Sequence, residues 1–187
     1  SSGFLSARLL SEHFSGPRYS LFYSPNCHEA LLTLGRERAQ DWNTLSKRLE
    51  GFLSHESGAE PVVFSDTVGG PDSGGPAWDE LARLPRECIL IADDSHGLGI
   101  TGPDGSGSWK PLAEMGFREL LLCGSLGKAM GVTAGVIAGD SDTLADLQPT
   151  PFFSGASPAP PAGLASLSDA LESGWYHKKQ LRLKHLL

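Results

Sequence analysis

The stretch CILIADDSHGLGITG, residues 88–102, indicates the fold class because it joins a continuous apolar run to a glycine-rich polar loop. An apolar run without polar alternation is typical of a strand that is buried on both faces, as in the parallel sheets of α/β proteins. Ligands bind at the carboxyl ends of such strands. The polar residues that follow the run, Asp93 to His96, are therefore predicted to lie at a binding site.

Helices and short apolar strands alternate along the rest of the chain. Strands are predicted for YSLFYS (19–24), EPVVFSDTV (60–68), ELLLCGSL (119–126) and GVTAGVIAGD (131–140). Helices are predicted for SARLLSEHF (6–14), NCHEALLTLGRERA (26–39), DWNTLSKRLEGFLSHE (41–56), WDELARL (78–84) and LASLSDALESGWYHKKQLRLKHLL (164–187), while the proline-rich residues 149–163 are predicted to be non-helical. The alternation predicts an α/β fold whose largely parallel sheet is covered on both faces.

The composition is that of an ordinary globular domain, with 40% hydrophobic and 20% charged residues. A net charge of −7 argues against nucleic-acid binding, and no apolar run is long enough to predict a membrane span. Three widely spaced cysteines, Cys27, Cys88 and Cys123, match no zinc-binding pattern, so no metal site is expected. We expect Cys88 and Cys123 to be reduced core residues, which favours a cytoplasmic location.

A second stretch, CGSLGKAMGVTAGVIAGD (123–140), places Lys128 among small, apolar or hydroxylated residues. If these residues form buried strand and tight turn, an ammonium group there is costly unless it is neutralised or bonded. Two interpretations stay open: Lys128 reaches solvent on a loop, or it takes part in a reaction.

Polar residues close three of the predicted strands, at Asp66, at Asp93–His96 and at Ser125–Lys128. Because carboxyl ends of parallel strands meet at one edge of a sheet, we expect these groups to converge as an active site does. Each group alone also has a structural explanation. Asp93 could cap a turn, His96 could be an ordinary loop histidine, and the Lys128 side chain could extend to solvent.

A lysine, a carboxylate and a histidine together suit the chemistry of pyridoxal phosphate (PLP). A lysine amine forms a Schiff base with an aldehyde, and a carboxylate keeps the pyridine nitrogen of the cofactor protonated. Backbone N–H groups and hydroxyls bind its phosphate, a role open to Ser125. A Ser-x-x-Lys pair also occurs in serine acyl-enzymes, but there it opens a helix, whereas Ser125 and Lys128 follow a predicted strand.

Five segments resemble the α-oxoamine synthases, fold-type I PLP enzymes that include 8-amino-7-oxononanoate synthase, glycine C-acetyltransferase, 5-aminolevulinate synthase and serine palmitoyltransferase. The segments are SSGFLSARLL, NCHEALL, ADDSHGLGITGPDGSGSW, GSLGKAMGVTAGVIAGD and FFSGASPAPPAGLASL, and they occur in the family's order. The resemblance covers essentially the whole chain. It implies the large domain of that fold type, a three-layer α/β/α arrangement with a mostly parallel mixed sheet.

The resemblance implies the catalytic roles of three residues. Lys128 would form the Schiff base with PLP and then act as acid and base at the substrate α-carbon. Asp93 would pair with the pyridine nitrogen, and His96 would bond the phenolic oxygen of the cofactor. The implied reaction is the condensation of a small amino acid with an acyl-CoA thioester.

The resemblance also implies the residues that hold the cofactor. His28 would stack on the ring, Ser125 would contact the phosphate, and Gly3 with Phe4 would border the phosphate through the backbone. One departure from the family lies at Gly70, where a serine is common.

Family members are longer than this chain. By resemblance, residues 1–173 form the PLP-binding large domain, and residues 174–187 form a helix leading towards a C-terminal domain that the sequence lacks. The family resemblance further implies a homodimer. Two alternatives stay open: a fold-type I aminotransferase or lyase with the same aspartate and lysine, and a non-catalytic, truncated or pseudo-enzyme module.

Overall fold

One mixed five-stranded sheet forms the centre of the computed structural model, which describes residues 2–55, 58–69 and 75–186. The strands lie side by side in chain order and are β1 (Tyr19–Tyr23), β2 (Glu60–Asp66), β3 (Ile89–Asp93), β4 (Glu119–Ser125) and β5 (Gly135–Ala138). Strands β1 to β4 are parallel, and β5 is antiparallel to β4. The predicted mostly parallel mixed sheet is confirmed.

Helices cover both faces of the sheet. They are α1 (Gly3–His13), α2 (Trp42–Leu53), α3 (Trp78–Leu81), α4 (Trp109–Ala113), α5 (Ser141–Leu147), α6 (Pro151–Ser154), α7 (Pro161–Glu172) and α8 (Trp175–Lys184). Successive residues of a strand point to opposite faces. Phe64 therefore packs with Leu10 of α1, whereas Val63 packs with Leu49 of α2 and Leu81 of α3. Both faces are apolar because both are covered, as the predicted three-layer fold requires.

The register of the sheet brings three strand ends together. Asp66 lies opposite Asp93 in the β2–β3 pair, and Asp93 lies opposite Cys123 in the β3–β4 pair. Consequently the polar residues that close β2, β3 and β4 share one edge of the sheet.

The predicted helix over residues 26–39 is wrong, because this segment forms turns. Asn26, the first residue of the segment, donates from its side-chain amide to the backbone oxygens of Asp66 (3.1 Å) and Val68 (3.2 Å). The backbone N–H of His28 donates to the Asp66 carboxylate at 2.8 Å. These bonds tie the segment to the end of β2, and a continuous helix would break them.

The C-terminal region differs from its prediction in two places. The helix predicted over residues 164–187 is divided into α7 and α8 at Gly174, whose φ of 68° is left-handed. The residues 149–163, predicted to be non-helical, contain the short α6, which Thr150 caps by accepting a hydrogen bond from the N–H of Phe153 at 3.3 Å. The division into a domain over 1–173 and a helix over 174–187 stays a prediction.

The three cysteines are buried and not disulfide-bonded, which confirms the core positions predicted for Cys88 and Cys123. Within the described ranges, no helix is both long and apolar enough to cross a membrane. The predicted departure at Gly70 lies outside the described residues.

Gln180 of α8 is a destabilising element of the fold. It is 3% exposed and packs against Gly105, and neither polar atom of its amide has a hydrogen-bond partner among the described residues. Leaving a buried polar group unsatisfied costs about 1–3 kcal/mol. We therefore expect Gln180→Met to raise the free energy of unfolding by about 1 kcal/mol, measured by denaturant titration of the circular dichroism signal.

The matched control is Gln40→Met, since Gln40 is exposed. It should leave the free energy of unfolding within about 0.5 kcal/mol of the parent. Equal effects of the two substitutions would show that the buried amide carries no penalty.

Candidate active site

The candidate site lies where β2, β3 and β4 end. Asp66 and Asp93 are the last residues of β2 and β3, and Ser125 is the last residue of β4. Parallel strands with their carboxyl ends at one edge form the usual ligand crevice of an open α/β sheet. The structure therefore brings together the three polar groups that the sequence predicted to converge.

Lys128 lies in the turn that joins β4 to β5. Hydrogen bonds from Val132 N to Leu126 O (2.9 Å) and from Leu126 N to Ala134 O (3.0 Å) close this turn. The Lys128 side chain is exposed, as in the first of the two interpretations left open, a lysine that reaches solvent on a loop. The apolar residues Leu126, Met130 and Val132 lie in this turn together with the lysine, between the end of β4 at Ser125 and the start of β5 at Gly135.

Lys128 and His96 form the central contact of the site, with 2.9 Å between Nζ and Nε2. When the lysine is an ammonium, it donates and the imidazole accepts. Burial first, and then the positive charge of Lys128, lower the pKa of His96. The contact therefore favours the neutral form of the His96 imidazole.

Asp93, the last residue of β3, is a buried carboxylate of the site and is 6% exposed. Its carboxylate accepts from the N–H of Ser95 at 2.9 Å, and the hydroxyl of Ser95 accepts from the N–H of Ser125, also at 2.9 Å. Ser95 thus fixes the end of β3 to the end of β4. This linking role was not predicted, because a serine next to an aspartate carries no signal of a contact thirty residues away.

Asp94 points away from the crevice and anchors the loop that follows β3. Its buried carboxylate accepts from the hydroxyl of Thr67 and from both the N–H and the hydroxyl of Ser108, each of the latter at 2.8 Å. Burial raises the pKa of Asp94, and these hydrogen bonds oppose that rise. A Cβ on Gly107 would lie 2.2 Å from the carboxylate, so a glycine is needed for this close approach.

His28 reaches the site from the turn after β1. Its Nδ1 accepts from the N–H of Ala30 at 3.1 Å, so the neutral ring carries its proton on Nε2. The ring is exposed, and its positive charge, when it is protonated, adds to the effects that lower the pKa of His96. Its backbone N–H is held by Asp66. The predicted ring-stacking role of His28 stays a prediction.

The first turn of α1 lies against Ser125. A Cβ on Gly3 would approach the Cβ of Ser125 to 2.4 Å and its Cα to 2.7 Å, so only glycine permits this contact. Ser2 caps the helix by accepting from the N–H of Leu5. Phe4 is 58% exposed and has its backbone in the same turn. A helix N-terminus beside a serine hydroxyl is suited to a phosphate group.

The donor set fits a PLP-sized ligand with a carbonyl, a basic ring nitrogen and a phosphate. An amine and an imidazole lie in contact, a buried carboxylate closes one side, and the α1 N-terminus meets Ser125. The described residues contain no group of three or more histidine, cysteine or acidic side chains that could hold a metal ion.

Known proteins share this fold and much of this sequence. The family model described as aminotransferase class I and II matches residues 37–187. The 8-amino-7-oxononanoate synthase of Marinobacter nauticus is 37% identical over 136 residues, which are 67% of this chain and 33% of that protein. The enzyme of the same name from Mycolicibacterium vanbaalenii is 30% identical over 178 residues, which are 89% of this chain and 47% of that protein.

A solved structure of serine palmitoyltransferase from S. paucimobilis, with a bound PLP–myriocin aldimine, superimposes with a TM-score of 0.78. At 16% identity it covers 99% of this chain and 50% of that one. This likeness confirms the predicted fold, that of the large domain of fold-type I PLP enzymes. The chain spans half or less of the length of these three relatives.

Proposed function

Since the chain belongs to the aminotransferase class I and II family, we propose that it binds PLP and forms the cofactor-binding part of a C-acyltransferase. The reaction is the condensation of a small amino acid with an acyl-CoA thioester. The observation that carries the proposal is the contact between Lys128 and His96 beside the buried Asp93. The curated relatives named 8-amino-7-oxononanoate synthase support this type of reaction.

PLP, when bound, supplies an aldehyde and a cationic ring that stabilises negative charge at the α-carbon of an amino acid. Lys128 would provide the amine that holds the aldehyde. Once the amino group of the substrate has taken its place there, the freed, neutral Nζ would take a proton from the α-carbon and return it. His96 is in hydrogen-bond contact with Nζ, so its Nε2 holds the amine in position. The neutral form of His96, favoured by its lowered pKa, can accept a hydrogen bond at Nε2.

Asp93 holds a proton on the ring nitrogen of the cofactor. Its burial makes a negative charge there costly unless a cation lies beside it, so a protonated ring nitrogen is its natural partner. His28 would stack on the ring. The N–H groups of Gly3 and Phe4 and the hydroxyl of Ser125 bind the phosphate.

The partners follow from the same proposal. The substrates are a small amino acid and an acyl-CoA, and the complete site is shared between two copies in a homodimer, as the resemblance implies. We place the reaction in the cytoplasm, because the three buried cysteines are reduced.

The test is a titration of the 187-residue chain with PLP, followed by absorbance, and then an assay for free thiol from acyl-CoA. We expect saturable PLP binding, a spectral change on addition of glycine, alanine or serine, and thiol release only when amino acid and acyl-CoA are both present. Amino-group transfer to a 2-oxo acid without acyl-CoA would instead support the aminotransferase.

The outcomes separate binding from turnover. A chain that binds no PLP would refute the whole proposal and support the non-catalytic module. A chain that binds PLP but releases no thiol with any of the three amino acids would refute the acyltransferase assignment. The proposed cofactor site would still stand.

A further inference from the structure

Asp66 is a buried carboxyl group at the candidate site that the proposed function does not use. It lies directly opposite Asp93 in the β2–β3 register, and both carboxylates are buried, with 9% and 6% exposure. Asp66 and Asp93 are thus the adjacent last residues of two paired strands. Two like charges on neighbouring buried residues repel each other.

Hydrogen bonds do little to offset two negative charges at this position. Asp66 accepts from the N–H of His28 at 2.8 Å, and Asp93 accepts from the N–H of Ser95 at 2.9 Å. Among residues 2–55, 58–69 and 75–186, no lysine, arginine or histidine nitrogen lies within 4.0 Å of either carboxylate. The positive charge of Lys128 acts on Asp66, but its Nζ contacts His96.

The charged and titratable groups around Asp66 divide into two sets. Burial and then the charge of Asp93 raise the pKa of Asp66 to about 7, while Lys128 and Arg38 lower it. The two thiols that face it, Cys27 and Cys123, are themselves buried and have raised pKa values, so they stay neutral. The two carboxyl groups are adjacent, buried and without a cation within 4.0 Å among the described residues. Holding one proton between them therefore costs less than holding two negative charges.

We propose that Asp66 and Asp93 form a carboxyl pair that shares one proton in the empty site and releases it when a protonated ring nitrogen binds at Asp93. This inference rests on the proposed function. The ring nitrogen arrives as N–H⁺ and brings one positive charge, so the pair can hold two negative charges. The proton leaves an Asp66–Asp93 carboxyl oxygen for solvent or buffer, and no other bond changes.

A second carboxylate would then help to keep the ring nitrogen protonated. Asp66 also accepts a hydrogen bond from the N–H of His28, so it connects Asp93 to the turn that carries the histidine. Asp66 acts through Asp93 and His28, and is therefore a positioning residue.

The test is an infrared difference spectrum between the PLP-loaded and the empty chain, recorded below pH 7. Loading should remove the carbonyl stretch of a protonated carboxyl group and add carboxylate bands. Asp66→Asn keeps an oxygen that can accept from His28 but cannot ionise, so these bands should be missing from its difference spectrum. An indicator dye should report about one proton fewer released by the variant than by the parent.

Asp169→Asn is the matched control, because Asp169 is exposed on α7. It should behave as the parent in both measurements. Identical spectra and proton counts for parent and Asp66→Asn would overturn the proposal. Failure of the parent to bind PLP would instead overturn the proposed function, so the two failures are distinguishable.

A measurement on the empty chain needs no cofactor. The native Asp66 pKa of about 7 lies above the value of an unfolded aspartate, so the native state binds more protons between those values. Stability from this group is present below the unfolded pKa and is lost as the pH rises towards 7. Asp66→Asn should therefore raise the denaturation midpoint above pH 7 more than it does near pH 4. A pH-independent difference would overturn the shared proton.

Discussion

Replacing Lys128 by alanine is expected to abolish covalent attachment of PLP. Nζ is the amine that contacts His96 at the ends of β3 and β4, and alanine has no group that could form a Schiff base. Borohydride reduction of the PLP-loaded chain, followed by peptide mass spectrometry, should find the cofactor on Lys128 in the parent and on no residue in Lys128→Ala. Thiol release should fall by about 100-fold to 10,000-fold, as for loss of a general acid–base.

Two control variants test whether the loss of the PLP adduct is specific to the amine of Lys128. Lys128→Arg keeps a positive charge next to His96 but supplies a guanidinium, so it too should give no adduct. Lys110→Ala removes an exposed lysine of α4 and should leave the adduct on Lys128. An adduct that persists in Lys128→Ala, or that forms on Lys110, would contradict the assignment of the reactive amine.

The exposure of Lys128 bears on how this amine can react. A lysine that is held in an apolar pocket loses its charge by desolvation, but the side chain in this turn is open to solvent. Under the proposed function, its reactivity would come from contact with His96 and from the cofactor. The turn lies between the apolar strands β4 and β5, which explains why the sequence alone left both a buried and an exposed lysine open.

Local sequence signals predict much of this fold correctly. Strands β2, β3 and β4 are continuous apolar runs because helices cover both faces of the sheet, and such runs are visible in the sequence. The polar residues that end these strands then locate the site, because strand ends at one edge follow from parallel topology. Asp93, His96 and Ser125 are brought together as predicted.

The sequence alone does not predict features that depend on contacts between residues far apart in the chain. Residues 26–39 have a helical pattern, but bonds from Asn26 and His28 to the end of β2 hold them in turns. The pairing of Asp66 with Asp93 depends on strand register, which no local signal specifies. The bond between Ser95 and Ser125 likewise spans thirty residues of sequence.

Replacing Asp94 by alanine is expected to have the largest effect on stability. Its fully buried carboxylate accepts hydrogen bonds from the hydroxyl of Thr67 and from the N–H and hydroxyl of Ser108. Thr67 and Ser108 are also fully buried. Alanine would leave three buried donors without their acceptor. We expect the free energy of unfolding to fall by at least about 3 kcal/mol, measured by denaturant titration.

Three further variants separate the contribution that these hydrogen bonds make to stability from the contribution of the packed Asp94 side chain. Asp94→Asn keeps the size and one acceptor but turns an N–H₂ group towards a donor, so it should lose somewhat less than alanine does. Thr67→Val removes only one of the bonds and should cost about 1 kcal/mol. Asp142→Ala, at an exposed position of α5, should change stability by less than about 0.5 kcal/mol. Since Asp94 also anchors the loop that carries His96, a variant that kept full stability would show that this loop is held by other contacts.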